Sequence, residues 1–354
     1  MKCRPQRAAE AGFVLVLTLW VLAAIAIAAA YFAERVQASL RLATARQDLA
    51  QAQIMLNDGR AEVLYRLAVT PLSMYGLGDP PDVIRLDGQR YADSGGTLQL
   101  QDQGGLVDLN LAPDAQLLAF LAGRGVSGSV SAALVDALRD YTDADNLRRV
   151  NGAESAEYRA VGRPDLPRNA PLGSPLELRD VFGWAGQDKL WQDGELLEWV
   201  TTDGTPRVNP NTAPWPVLVS LAGVSPDAAR LIIERRQIEP VGPAWMDRML
   251  GTRFDTLPSP LQPFPSRAVR VTQRVPGLPW GVRYNVLLTP KGDAAPWRIT
   301  YFYRLEDVPA QPGPDKTSAD SIASILSQQA HASDPPRLPP RAAQPSSAPR
   351  ILAR

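Results

Sequence analysis

The chain opens with a basic leader that ends at Gly12, followed by an uncharged apolar run from Phe13 to Ala33. A helix rises about 1.5 Å per residue, so a run of about twenty residues matches a hydrocarbon core of about 30 Å. Basic flanks stay on the cytoplasmic side of a membrane. The pattern therefore predicts a single membrane span, with everything after Glu34 on the far side.

Beyond this span, apolar positions recur at helical spacing, with charged residues between them, from Glu34 to about Val69. This amphipathic pattern predicts that the helix continues and packs one face on a folded head. The apolar positions are Val36, Leu40, Ala43, Leu49, Ile54, Val63, Leu64 and Leu67.

Strand-like alternation occurs in two groups that are far apart in the chain, and turn residues separate the runs of the second group. Helix and loop patterns fill the residues between the groups, so one antiparallel sheet with an inserted helical domain is expected. The predicted strands are Thr97 to Asp102 and Leu106 to Leu109, then Ala268 to Val275, Val282 to Leu288 and Trp297 to Leu305.

The helical region contains an internal repeat. The segment Val107 to Pro113 recurs as Val208 to Pro214, and each copy places an asparagine before Ala-Pro and an apolar periodic run. Asparagine caps free helix amides, and proline at the first turn costs no hydrogen bond. Asn110 and Asn211 are accordingly predicted to be structural helix caps.

Composition removes most enzyme chemistry. Cys3 is the only cysteine and His331 the only histidine, and neither lies in the predicted head. Catalysis by Ser-His or Cys-His pairs and zinc sites built on histidine or cysteine are therefore excluded there. The 37 basic and 37 acidic residues cancel, which argues against a general polyanion-binding surface. A protein that is not an enzyme is expected.

Three interpretations of the N-terminus remain open on these grounds: a cleaved secretory signal, a permanent anchor, and a prepilin-type segment cut before its apolar run. The apolar run is longer than the roughly 7 to 15 residues of a signal-peptide core. The junction Ala11-Gly12 before Phe13 resembles a prepilin peptidase site. The fifth residue after this junction is Leu17, where pilins usually carry glutamate.

This junction, the missing glutamate, the repeat and the stretch from Asp140 to Asn169 together resemble the minor pseudopilin K family of the type II secretion system. The resemblance covers about Gly12 to Leu305. It implies an α+β, type IV pilin-like fold with a large inserted α-helical domain of two SAM-like or helix-hairpin-helix-like subdomains. Cleavage after Gly12 and N-methylation of Phe13 are implied as well.

The domain boundaries expected on this basis follow the chain in order. They are a prepilin leader at 1–12, a transmembrane and amphipathic helix at 13–69, a pilin-like head at 70–108 and 265–306, the helical domain of two repeats at 109–264, and a disordered Pro-rich tail at 307–354.

The resemblance also implies a role and a set of partners. The chain is expected at the tip of the pseudopilus, where it initiates assembly for export of folded proteins across the outer membrane. Its partners would be minor pseudopilins I and J, the major pseudopilin and the prepilin peptidase. It would sit in the bacterial inner membrane as a single-pass protein with a cytoplasmic N-terminus and a periplasmic head.

One loop concentrates hard oxygen ligands around Gly152. Sequence alone leaves two interpretations of it, a solvated acidic loop and a metal site whose spacing is not that of an EF-hand. Calcium binding in this family's heads favours a Ca²⁺ site. Its candidate ligands are Asp143, Asp145, Asn151, Glu154 and Glu157.

The alternative function is a membrane-anchored envelope protein that binds DNA. Residues Leu221 to Arg236 resemble a helix-hairpin-helix unit, in which hairpin amides bind phosphate. Arg230, Arg235 and Arg236 are the candidate contacts, whereas Ser225 and Asp227 depart from the usual pattern.

Overall fold

The computed structural model describes residues 8–93, 95–221, 224–251, 253–256, 261–292 and 294–306. Residues 1–7 of the predicted leader, and the whole predicted tail, lie outside these ranges. Helix α1 runs without interruption from Ala8 to Val69, 62 residues. At about 1.5 Å per residue it is about 93 Å long.

Only the last third of α1 packs against the head. Ala52, Leu56, Val63 and Leu67 are buried at helical spacing, whereas every residue from 13 to 51 is exposed. The predicted packed segment, which was expected to begin near Glu34, is therefore too long: Val36, Leu40, Leu49 and Ile54 are exposed, and the head covers α1 only from Ala52 onward.

The head contains a five-stranded antiparallel sheet. Its three C-terminal strands match the predicted ones within two residues at each end, and only the strand at Asp87–Asp93 was not foreseen. In spatial order the strands are β3 (Asp87–Asp93), β4 (Gly96–Asp102), β7 (Ala268–Arg274), β8 (Trp280–Leu288) and β9 (Trp297–Glu306).

Two short pairs accompany this sheet. An antiparallel pair, β1 (Leu72–Ser73) and β2 (Gly76–Leu77), follows α1, and a parallel pair, β5 (Val107–Asp108) and β6 (Val200–Thr201), lies in the helical region.

The residues between β4 and β7 are mainly helices and loops that share a hydrophobic core around Tyr141, Tyr158, Trp184 and Leu218. Because β4 and β7 are paired neighbours, this helical region is inserted between adjacent strands of one sheet. Its helices are α2 (Asp114–Gly123), α3 (Ser129–Thr142), α4 (Ser155–Ala160), α5 (Asp188–Trp191), α6 (Leu196–Trp199), α7 (Trp215–Leu218), α8 (Pro226–Arg236) and α9 (Pro243–Leu250).

The sheet has two differently covered faces, because successive side chains along a strand point to opposite sides. Val269, Val271 and Tyr284 share a cluster with Leu56 of α1. Arg270 lies on the opposite face and donates to the carbonyl oxygens of Leu197 and Glu198, at 2.6 and 2.7 Å. The sheet therefore lies between α1 and the helical region.

An ion pair reinforces this second contact, with Arg270 and Arg283 buried and the side chain of Glu198 half exposed. Arg283 of β8 donates to Glu198 at 2.5 Å, and Arg270 approaches the same carboxylate at 3.6 Å. Burial raises the pKa of Glu198, but the two guanidinium groups outweigh that effect and hold the pKa below its ordinary value.

The prediction that Asn110 and Asn211 cap helices is wrong. Pro113 and Pro214 occupy the N-cap positions of α2 and α7, and neither helix has a side-chain cap. Each asparagine lies three residues before its proline, too far for its side chain to reach the first-turn amides. The amides of Asn110 and Leu111 are instead bound by Asp108.

Both asparagines hold a distant loop in the same way. Asn110 accepts from the amide of Leu172 and donates to its carbonyl and to that of Thr202, at 2.9 to 3.2 Å. Asn211 accepts from Val241 and donates to the carbonyls of Val241 and Pro263, at 2.7 to 3.2 Å. The sequence repeat is therefore also a structural repeat.

Asp102 joins the sheet to the helical region. Its fully buried carboxylate accepts five hydrogen bonds of 2.7 to 2.9 Å. The donors are the amide of Gly104, the amide and hydroxyl of Ser266, the side-chain amide of Asn209 and the hydroxyl of Thr212.

We expect Asp102→Ala to destabilise the head strongly, because each buried donor left unpaired costs about 1–3 kcal/mol. The free energy of unfolding should fall by at least about 3 kcal/mol. Urea denaturation of the full chain in detergent, followed by tryptophan fluorescence, measures this change. Asp165→Ala, at an exposed aspartate, is the control and should unfold like wild type. A similar midpoint for both variants would contradict the role of Asp102.

Candidate functional site

The loop between α3 and α4 brings three predicted ligands together. Asp143 follows the last residue of α3, and Glu154 precedes the first residue of α4. Carboxylate oxygens of Asp143, Asp145 and Glu154 lie within 4.8 Å of one another. Asp145 is exposed, Asp143 is half-buried, and Glu154 is only 5% exposed.

Several oxygens of this cluster have no hydrogen-bond donor. Oδ1 of Asp143 and both carboxylate oxygens of Glu154 are buried without a partner. Unpaired buried acceptors are costly, and hard oxygens at this spacing are the ligands that Ca²⁺ prefers. The residues present therefore fit a hard divalent cation.

The local electrostatics agree with this fit. Burial, and then the nearby charges of Asp140, Asp143, Asp145 and Glu157, raise the pKa of Glu154 to about 7. Burial and the neighbouring Asp145 likewise raise the pKa of Asp143. A bound cation would relieve both the desolvation and the repulsion.

Asp140 and Gly152 shape the loop. Asp140 is fully buried, and its two oxygens accept from the amide of Arg149 at 3.2 and 3.1 Å. The backbone at Gly152 passes so close to this carboxylate that a Cβ atom would collide with it. Gly152 thus permits this close approach between the backbone and the carboxylate of Asp140.

Two other predicted ligands have different partners. Asn151 binds Asp136 through its backbone amide at 3.1 Å and its side-chain amide at 3.0 Å. Glu157 accepts from the backbone amide of Glu154 at 3.0 Å and pairs with Arg148 at 2.9 Å. Asn169, which was not predicted as a ligand, donates to the carbonyl oxygen of Asp145 at 2.9 Å.

The N-terminal residues singled out by the sequence lie on α1. Gly12 is part of the helix, and the side chains of Phe13 and Leu17 are 71% and 53% exposed. From Phe13 onward α1 contains a window of mean hydropathy 2.7, none of it buried, that is long and apolar enough to cross a membrane.

The candidate phosphate contacts are engaged within the chain. Arg236 donates to the carbonyl oxygens of Pro210 and Ala213, at 2.9 and 2.6 Å. Arg230 pairs with Asp227, and Arg235 with Glu239. The hydroxyl of Ser225 accepts from the amide of Ala228 and so caps α8. The DNA-binding hypothesis gains no support from these contacts.

A long N-terminal helix packed on an antiparallel sheet defines the α+β, pilin-like class of proteins. Residues 98–190 match the family model described as "Type II secretion system (T2SS), protein K". Over this range the chain is similar to protein K of type II secretion systems. The matched range contains the repeat's first copy and the whole acidic loop.

A solved structure is also similar. It is a chain of the GspK-GspI-GspJ complex from the type 2 secretion system of enterotoxigenic Escherichia coli, with 17% sequence identity and a TM-score of 0.46. The similarity covers 77% of this chain and 100% of that chain. No curated protein sequence matches the chain.

We predict that the metal-free head loses stability as pH rises. The unfolded chain binds a proton at Glu154 below about pH 4.5, whereas the folded protein keeps it up to about pH 7. Between these values the folded state binds more protons at Glu154, so the contribution of this group to stability is present at low pH and is lost as pH rises through about pH 7. Melting temperatures in EDTA at about pH 5 and about pH 8 measure the trend. Glu154→Gln should lose part of this decrease, and an unchanged slope would contradict the prediction.

Proposed function

We propose that this protein is a minor pseudopilin at the tip of the type II secretion pseudopilus, where it initiates assembly for export of folded proteins across the outer membrane. The observation that carries the proposal is the family match of residues 98–190. The shape of the chain supports the proposal: the head packs on one end of a 62-residue helix, and residues 13–51 of this helix make no contact with the head.

Helix α1 offers apolar surfaces for neighbouring helices, both on its free part and on the side that faces away from the head. Val36, Leu40, Ile54 and Tyr65 fall on the helical face that points away from the head, and they are 41 to 61% exposed. Exposed aliphatic residues at helical spacing favour packing against another helix. Minor pseudopilins I and J, and the major pseudopilin below, are the proposed occupants.

A second apolar face continues the buried stripe of α1 beyond the head. Leu42 and Leu49 lie in line with Ala52 and Leu56, but they are 53% and 47% exposed because the head does not reach them. One helix therefore offers two separate surfaces, which suits a subunit that holds more than one neighbour.

Leu17 supports the tip position. A carboxylate within lipid needs a cationic partner, and the pilin glutamate is thought to neutralise the N-terminal amine of a neighbour. A subunit with leucine there cannot neutralise another subunit above it. At the top of the assembly there is no subunit above whose N-terminal amine needs to be neutralised, so leucine is tolerated at this position.

The proposed topology follows from the leader. Lys2, Arg4 and Arg7 would remain in the cytoplasm, α1 would cross the inner membrane once, and the head would lie in the periplasm. The prepilin peptidase would cut after Gly12, and Phe13 would become the N-methylated first residue.

Calcium is the proposed ligand of the acidic loop, held by Asp143, Asp145 and Glu154. Bound there, the cation would neutralise the crowded carboxylates and join the end of α3 to the start of α4. The role is structural.

Processing can be tested directly by mass spectrometry of the mature N-terminus in cells with and without the prepilin peptidase. We expect a start at methylated Phe13 only when the peptidase is present, and Gly12→Val should block it. Thr18→Val, six residues further on, is the control and should be processed normally. A start near Tyr31, or an uncut chain, would exclude the pseudopilin assignment.

Assembly through α1 predicts that Leu40→Asp combined with Ile54→Asp abolishes co-purification with minor pseudopilins I and J. The melting temperature of the head should not change, because both side chains point away from it. Leu231→Asp, at a 50% exposed position on α8, is the matched control and should leave association intact. If the α1 double variant still co-purifies, this face is not the interface.

A further inference from the structure

A cavity of about 210 Å³ lies between the segment that follows α1 and the end of α8. Apolar side chains form part of its wall, namely Met74, Val83 and Leu86. Tyr75 and Ile238 also line it and are exposed, so the cavity is open to solvent. A cavity of about 150 Å³ takes benzene, so this one has room for one large side chain. Its place between two structural layers is typical of ligand sites.

Arg236 also lines the cavity, and its guanidinium has a buried donor without an acceptor. Nη1 donates to the carbonyl oxygens of Pro210 and Ala213, at 2.9 and 2.6 Å, whereas Nε is buried without a partner. Burial lowers the pKa of Arg236 to about 10, although the nearby charge of Asp87 acts in the opposite direction. A buried donor and a buried charge are both costly when they are left unpaired.

The other charged groups around the cavity have counter-ions. Arg85 donates to the carboxylate of Asp87 at 2.5 Å, and Glu239 pairs with Arg235. In the part of the chain that the structure describes, the contacts of Arg236 are with carbonyl oxygens and not with a carboxylate. Arg236 is therefore the cation at this cavity whose charge is not matched by a bound acid.

The first copy of the internal repeat shows which group belongs on this arginine. Arg139 donates to the carbonyl oxygens of Leu109 and Ala112. These are the repeat equivalents of the two carbonyls that Arg236 binds. The Nε of Arg139, however, donates to the carboxylate of Asp114 at 2.8 Å. The two arginines are thus held in the same way, except that the first has a carboxylate on its Nε.

The sequence explains why the second copy lacks this carboxylate. Asp114 is the first residue of α2, directly after Pro113. The corresponding first residue of α7, directly after Pro214, is Trp215. Its indole is 45% exposed and carries no acid. The second copy therefore keeps the arginine and replaces its partner.

We infer that this cavity binds the C-terminal residue of a polypeptide, whose carboxylate pairs with Arg236 as Asp114 pairs with the arginine of the first copy. The side chain of that residue would lie against Met74, Val83 and Leu86. A C-terminal residue can carry a carboxylate next to an apolar side chain, whereas aspartate and glutamate cannot, and arginine is well suited to carboxylates. The inference goes beyond the proposed function and does not depend on it.

The experiment uses the full chain in detergent and isothermal titration with N-acetyl-phenylalanine. We expect this probe to bind, and N-acetyl-phenylalaninamide, which lacks the charge, to bind at least about tenfold more weakly. Free phenylalanine tests a second source of the same carboxylate. It adds an ammonium group, which the guanidinium groups of Arg85 and Arg236 would repel, so it should also bind more weakly than the acetylated form.

A variant of Trp215 tests the position of the ligand. Trp215→Asp restores the acid of the first copy, and its carboxylate should pair with Arg236. We expect it to weaken binding of N-acetyl-phenylalanine about tenfold or more, because two carboxylates then compete for one guanidinium. Trp215→Asn has nearly the same size without the charge, so it is the matched control and should bind like wild type.

Each contrary result is distinct. Failure of N-acetyl-phenylalanine to bind wild type, or equal binding of its amide, would overturn the inference. Equal binding of free phenylalanine would overturn the polypeptide ligand and assign the cavity to free amino acids. Unchanged binding in a Trp215→Asp variant that melts like Trp215→Asn would place the ligand away from Arg236 and overturn the inference too. The pseudopilin proposal is tested separately, by the N-terminus of the mature chain.

Discussion

The architecture of the head depends on the hydrogen bonds of the buried Asp102 carboxylate. The chain leaves the sheet directly after Asp102 and returns at Ser266, and this one side chain binds donors at both places. It also binds Asn209 and Thr212 of the second repeat. A large insertion between paired strands costs closure entropy, and this cost grows slowly with the length of the insertion. Here that cost is offset because both ends of the insertion, and its second repeat, share one buried acceptor.

Most strands of the sheet could be predicted from sequence because each shows the alternation of apolar and polar residues that is typical of a strand. Alternation from Ala268 to Leu305 follows from a sheet with two differently covered faces. Strand β3 was missed because its residues Asp87-Gly88-Gln89-Arg90 are polar, and a register shift interrupts its pairing with β4. The repeat was visible as sequence, but the role of Asn110 and Asn211 was not, because their partners lie tens of residues away and no local rule identifies them.

The acidic loop shows the same limit. Asp143, Asp145 and Glu154 could be selected because hard ligands were concentrated in a short segment containing glycine. Asn151 was selected for its proximity in sequence, and the fold instead places it against Asp136. The burial of Asp140 could have been predicted from its position in the helical pattern, because this acid falls among the buried positions of α3. No signal in the spacing indicated Asn169, whose approach to Asp145 depends on how the following loop returns.

The two faces of the sheet explain how one chain can carry a large head and still leave α1 accessible to the proposed neighbours. Helix α1 takes one face, and its proposed interaction surfaces lie on the 13–51 part and on the outer side of the part that packs on the head. The helical region takes the other face, held by Asp102 and by Arg270 and Arg283 at Glu198. Because the sheet separates them, the helical region can be large without obstructing α1. The acidic loop belongs to that second layer, so a cation there would stiffen the head without altering the helix that is proposed to bind neighbours.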